Sequence, residues 1–218
     1  MKNYKFIFIT FLFITTLTFG QNNKAKELLD KVSTKMSSYS NMNINFSTSL
    51  INEDAGIKEG DEPPILGTVI LSGDKYSLDY LGSNFMFDGN KLYVINHDEQ
   101  EITINDGDLE DDDGFIYPSK LLSFYKNGYN FKLGKTQKTN GKQIQYVTLT
   151  PIDSNSEIIK VEVGIDISKL HIFTLIQTGA NSSKTKLTIT SLKSNLELPK
   201  STFVFDKESY LKKDYIID

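Results

Sequence analysis

The chain has 218 residues, with 24 basic and 28 acidic side chains and a formal net charge of −4. It contains no cysteine and no arginine. These absences exclude disulfide staples, lipidation at an N-terminal cysteine and bidentate guanidinium clamps on phosphate or carboxylate. A net acidic chain also argues against nucleic acid as a partner and against direct docking on anionic headgroups.

Residues 1–20 open with Lys2 and Lys5, continue through an apolar run from Phe6 to Ile14, and end in small and polar residues before Gln21. That is the layout of a secretory signal peptide, and its apolar run is too short for a comfortable membrane span. Export with cleavage near Gly20 would leave 21–218, a length suited to one domain.

An amphipathic helix is predicted next, over 24–39. Ala25, Leu28, Leu29, Val32, Met36 and Tyr39 recur at three- and four-residue spacing, with lysines and acids on the opposite face. A strand follows over 43–50, where Ile44, Phe46, Thr48 and Leu50 alternate with Asn45, Ser47 and Ser49. The stretch NEDAGIKEGDEPP, residues 52–64, reads as a loop.

From Leu66 onward the apolar period is nearly always two. Val69 and Leu71 alternate, then Tyr76, Leu78 and Tyr80, then Phe85 and Phe87 before the turn signal Asp88-Gly89. After that turn Leu92, Tyr93, Val94 and Ile95 place apolar side chains on both faces of one strand, so both faces need cover. Further strands are predicted around 102–104, 146–149, 159–165, 172–176 and 187–189. One segment interrupts them: YPSKLLSFYKNGY, residues 117–129, has a proline start, helical spacing and a glycine stop, and predicts a second helix. About ten short strands with two helices point to one large antiparallel sheet, closed or half closed. Periodicity leaves two arrangements open: sheet faces packed on each other, or a curved sheet whose aromatic-lined concave face is covered by the helices.

Signatures of chemistry are sparse. The acidic run from Asp106 to Asp113 lacks the glycine at position six and the glutamate at position twelve of a calcium loop, and reads as a solvated loop. Two histidines, His97 and His171, have no metal-ligand spacing around them. No nucleophile elbow and no phosphate-cradling glycine loop occur. The chain is therefore read as a non-enzyme with no cofactor and no metal.

The order of the pieces resembles a known family. Helix 24–39, then YSNMNINFSTSL (39–50), GTVILSGDKYSLDY (67–80), FMFDGNKLYVIN (85–96), PSKLLSFYKNG (118–128), YVTLTPIDSNSEIIKVEVGID (146–166) and FVFD (203–206) follow the sequence of motifs in the periplasmic outer-membrane lipoprotein carriers, the LolA family. The resemblance spans nearly the whole mature chain, and each motif alone is loose. It implies a mainly β fold with α: an unclosed antiparallel barrel of about eleven strands, with a helical lid over an apolar cavity. The implied function is a periplasmic carrier that shelters lipoprotein acyl chains between inner and outer membrane. Implied partners are acylated lipoproteins and an inner-membrane lipoprotein-releasing transporter, with no nucleic acid and a monomeric state. The cavity strands would contribute Ile44, Phe46 and Leu50, then Tyr76, Leu78 and Tyr80, then Phe85 and Phe87. Leu28, Val32 and Met36 of the first helix and Leu121 and Leu122 of the inserted one would form the lid. Where the family has an arginine–proline pair whose arginine holds the lid, this chain has Gly73-Asp74, so apolar contacts of Leu28, Val32, Leu121 and Leu122 are expected to close it. The same fold also serves periplasmic lipid-binding sensors and regulators, and a ligand-free exported structural β-protein is the third reading.

Overall fold

The computed structural model describes residues 23–108 and 117–218. The signal-peptide reading of residues 1–20 and most of the acidic run lie outside the described residues.

Strand β1 (Met42–Ile51) is the seam of the sheet. On one side it pairs with β2 (Ile65–Ser72), which leads through β3 (Lys75–Tyr80), β4 (Ser83–Phe87) and β5 (Lys91–Asn96) to β6 (Glu101–Asp106). On its other side it pairs with β11 (Lys184–Ser194), which leads back through β10 (His171–Gly179), β9 (Ile158–Asp166) and β8 (Lys142–Pro151) to β7 (Tyr129–Thr139). Two antiparallel meanders thus meet at β1. The outer edges, β7 and the two-residue β12 (Ile216–Ile217), do not pair with each other, so the sheet is unclosed. It has 12 strands; the short β12, parallel to β6, takes the count beyond the expected eleven.

Turn chemistry fixes the register where the sequence marks it. Asp88 Oδ1 accepts from the backbone N–H of Asn90 and of Lys91, both at 2.8 Å. Gly89 takes φ 96°, a conformation that a side chain would resist.

The sheet is strongly curved. Leu78 on β3 and Leu175 on β10 stand four strand positions apart, about 19 Å on a flat sheet, yet both line one small cavity. Bulges bend the second meander, among them one at Phe173 of β10 and one at Thr190 of β11. The curved sheet, not a pair of packed sheets, is therefore the arrangement adopted.

Helix α1, residues 23–37, lies in the concavity. Ala25, Leu29, Val32 and Met36 are its buried stripe and join a single cluster with both meanders. Its outer face carries the i,i+4 pairs Lys26–Asp30 at 2.8 Å and Glu27–Lys31 at 2.7 Å. Exposed pairs of this kind contribute about 0.3–0.5 kcal/mol each, so burial of the stripe anchors the helix.

The inserted segment departs from expectation. Instead of one helix over 117–129 it makes two short 3-10 turns, Pro118–Lys120 and Phe124–Lys126. Ser123, at φ −132°, ψ −18°, breaks the helical path between them.

A second core accounts for the apolar strand after Asp88-Gly89. Leu92 belongs to the concave cluster, with Val94 packed against it, whereas Tyr93 and Ile95 point to the convex face. There Met86, Ile95 and Ile102 are buried beside Tyr93. The C-terminal segment covers them: Phe205 stacks on Tyr93 at 4.4 Å between centroids, and Tyr210 of α2 (Lys207–Leu211) stacks on Phe205 at 5.4 Å. The strand is apolar on both sides because each side meets a different core. Phe205→Ala should cost about 2 kcal/mol through lost stacking and burial. A urea melt checks this, and an unchanged midpoint would remove the C-terminal segment from the stability of the sheet.

Candidate functional site: a lidded apolar cavity

The concave face is covered in two parts. Close packing marks the part at Leu29 and Val32 of α1, which with Val163 of β9 and Ile172 of β10 help to enclose only about 10 Å³. Under the 117–127 segment a cavity of about 80 Å³ remains. Its floor is Ile44, Phe46 and Thr48 of β1, with Val69, Leu78 and Tyr80 from the first meander. Leu175 and Gln177 of β10 and Thr185, Leu187 and Ile189 of β11 form the opposite wall, and Pro118 and Leu121 form the roof.

Phe46 occupies its place because residue 67 is glycine. A Cβ there would lie 2.3 Å from the ring's Cζ, so the ring lies flush over the β2 backbone. Its neighbour Tyr80 packs at 5.6 Å between centroids. The Tyr80 hydroxyl is 2.6 Å from Thr48 Oγ1, and Gln177 pairs across the ladder with Thr185. One end of an otherwise apolar cavity thus carries neutral hydroxyl and amide groups.

The residues expected to form the site fall into three groups. Ile44, Phe46, Leu78, Tyr80 and Leu121 line the cavity together. Val32, Met36, Tyr76 and Phe87 are buried in the surrounding cluster, and Leu28, Phe85 and Leu122 pack against it, but none of these seven borders the cavity. Leu50 is corrected: it is 55% exposed. The β1–β2 ladder ends at Thr48↔Ile65, so Leu50 projects beyond the last residue that β2 can cover. The wall from β10 and β11 was missed. Each bulge puts residues three apart on one face, Ile172 with Leu175 and Ile189 with Leu192, which strict alternation assigns to opposite faces.

The lid is not held by apolar contacts alone, which corrects that expectation. Ser33 Oγ of α1 donates to the Leu122 carbonyl at 2.8 Å. Tyr125 donates to Asp30 Oδ1 at 2.9 Å. Asp108 accepts from both Ser119 Oγ and Tyr76 OH, the latter at 2.7 Å. Asp108 belongs to the acidic run read as solvated; it instead ties the lid to β3.

Electrostatics keep these partners in their bonding forms. Burial pushes the Tyr125 phenol up to about 12, so it remains a donor at neutral pH. The hydrogen bond from Lys26 holds Asp30 below its ordinary 3.8, so it remains an acceptor. Burial lowers the His171 pKa, and its Nε2 lies 2.8 Å from Tyr39 OH. Among the described residues no group of three or more His, Cys, Asp or Glu gathers as metal ligands, and no helix is long and apolar enough to cross a membrane.

No family model and no curated protein matches the chain. Solved structures do. An uncharacterised conserved protein from Thermus thermophilus, 9% identical, superposes with a TM-score of 0.59 over 89% of this chain and 98% of that one. LprF from Mycobacterium bovis is 9% identical, with a TM-score of 0.49 over 84% of this chain and 99% of that one. A LolA superfamily protein from Nitrosomonas europaea is 12% identical, with a TM-score of 0.44 over 84% and 98%. At these identities the likeness to the Thermus protein is one of fold: an open sheet wrapped on a helix.

Removing one lid tie should loosen the lid without unfolding the sheet. Tyr125→Phe is expected to speed amide exchange over 119–127 about fivefold, the equivalent of one hydrogen bond of about 1 kcal/mol. Because the Asp30 pKa is lowered on folding, its contribution is present above 3.8 and is lost as pH falls through the lowered value. In the parent protein this tie should therefore hold from neutral pH down to about 4. Equal exchange in Tyr125→Phe and the parent protein would show that this bond does not hold the lid.

Proposed function

We propose that this chain is a periplasmic carrier of lipoprotein acyl chains, a binding protein and not an enzyme. The observation that carries the reading is the cavity itself: an apolar space in the concavity of an open sheet, roofed by a separate segment with few ties. Export follows from the signal-peptide pattern of residues 1–20. The donor in this reading is the inner-membrane lipoprotein-releasing transporter, and the cargo is delivered towards the outer membrane.

Physical need supports the reading. Each methylene exposed to water costs about 0.8 kcal/mol, so an acyl chain crosses an aqueous compartment only under cover. A cavity of about 80 Å³ is well below the roughly 300–1,000 Å³ of ligand-filled pockets. The described form is therefore shut, and cargo enters as Pro118 and Leu121 withdraw. The ligand then takes over the apolar contacts that the lid gives up. Neutral donors at one end, Thr48, Tyr80, Gln177 and Thr185, suit the ester carbonyls of an acylated glyceryl head and place no fixed charge against it.

Uptake of a synthetic triacylated lipopeptide tests this. Phe46→Glu puts a carboxylate on the cavity floor and should reduce uptake at least tenfold, by desolvation of several kcal/mol. Ser47→Glu, on the other face of β1, should leave uptake unchanged. Gly67→Ala is an uncharged second block, because its methyl drives the Phe46 ring off β2. Folding of each variant is checked by circular dichroism. Equal uptake by the parent, folded Phe46→Glu and folded Gly67→Ala proteins would exclude this cavity as the acyl site.

A further inference from the structure

The ladder between β10 and β11 stops at Thr174↔Thr188. Beyond that pair, His171 and Ile172 stay with β9 while Ile189 and residues 191–194 stay with β1, so the two strands splay apart. The bulges at Phe173 and Thr190 sit on the two lips of this split. A wedge-shaped cavity of about 260 Å³ opens there, at the other end of the β10–β11 ladder from the Gln177↔Thr185 pair.

Its chemistry is unlike that of the lidded cavity. Lys142 from β8 and Lys169 from the β9–β10 turn line it, together with His171. Lys142 Nζ stands 4.9 Å from the centre of the Phe173 ring. Among the described residues neither lysine forms an ion pair. The one carboxylate in the wedge, Asp166, is engaged by its own turn, accepting from Ser168 N–H at 3.0 Å and Ser168 Oγ at 2.6 Å. A chain of net charge −4 thus keeps two ammonium groups outside any described ion pair at this split, with Asp166, whose carboxylate feels the charge of Lys142, as the one opposing group. Ile189 borders both this wedge and the lidded cavity.

We propose that the wedge binds the anionic head of a single-chain amphiphile on Lys142 and Lys169, with its chain directed past Ile189 into the apolar cavity. Two ammonium point charges beside a groove that shares Ile189 with the apolar cavity suit a carboxylate or a phosphate monoester, and give a neutral head no advantage. The inference rests on the carrier reading only for the cavity that receives the chain. It adds a second ligand class and a second entrance, away from the lid.

Binding of laurate, dodecyl phosphate and methyl laurate by the full chain tests it, with lipopeptide uptake measured in parallel. Laurate or dodecyl phosphate should bind about tenfold more tightly than methyl laurate, and whichever is tighter identifies the head. Lys142→Gln with Lys169→Gln should abolish that preference and leave lipopeptide uptake intact. Equal binding of methyl laurate and the anions by the parent protein would overturn the inference while leaving the carrier reading standing. Displacement of laurate by inorganic phosphate at equal concentration would also overturn it, by reducing the wedge to an inorganic anion site. Lysine-dependent laurate binding by a parent protein that takes up no lipopeptide would support the wedge and sink the carrier.

Discussion

An open, curved sheet has one apolar face that something must keep dry. In this protein the concave face receives Ile44, Phe46, Val69, Leu78, Leu175 and Leu187, and among the described residues no second sheet covers them. Buried area is worth roughly 25 cal/mol per Å², so leaving that face wet would forfeit much of the fold's stability. The chain meets the requirement with two covers of different permanence. Helix α1 places a full buried stripe on the face and leaves only about 10 Å³ at Leu29 and Val32. The 117–127 segment, built of short turns, roofs a space it does not fill. The contrast between the two covers is the physical basis for a site that opens without unfolding.

Polar ties set how readily the second cover leaves. Ser33, Tyr125 and Ser119 reach from the segment or from the helix beneath it to one carbonyl and two carboxylates. Each is worth about 1 kcal/mol net, and a bound ligand competes with their sum rather than with the core. On the convex side, Phe205 and Tyr210 hold β4–β6 from outside. The sheet therefore has support that does not pass through the lid, and lid movement need not loosen β3, β4 or β5.

Much of the fold was legible in the sequence. Three- and four-residue spacing placed α1, alternation placed β1 to β6, and Asp88-Gly89 marked the hairpin turn. Half of the cavity floor was legible for the same reason, since Ile44, Phe46, Leu78 and Tyr80 alternate without interruption. The other half was less legible, because the bulge at Phe173 puts Ile172 and Leu175 on one face and the bulge at Thr190 does the same for Ile189 and Leu192, and no local residue pattern announces either. Leu50 followed the period but lies beyond the reach of its neighbour strand, a fact of ladder length rather than of sequence. The lid ties were invisible for a different reason. Asp108 lies 32 residues from Tyr76, and Asp30 lies 95 from Tyr125, so only the folded chain brings each pair together.

The central claim is that the lid must leave before the acyl chains of a triacylated lipoprotein can enter. The chain has no cysteine, so an engineered pair would be the only thiols. Asp108→Cys with Ser119→Cys places them where two side chains already meet, and a short thiol cross-linker would fasten the lid to the sheet. The account predicts that the cross-linked protein takes up no triacylated lipopeptide, while the same variant left uncross-linked takes it up at least as well as the parent. Full uptake by the cross-linked protein would contradict the account, because the cargo would then bind without the lid opening.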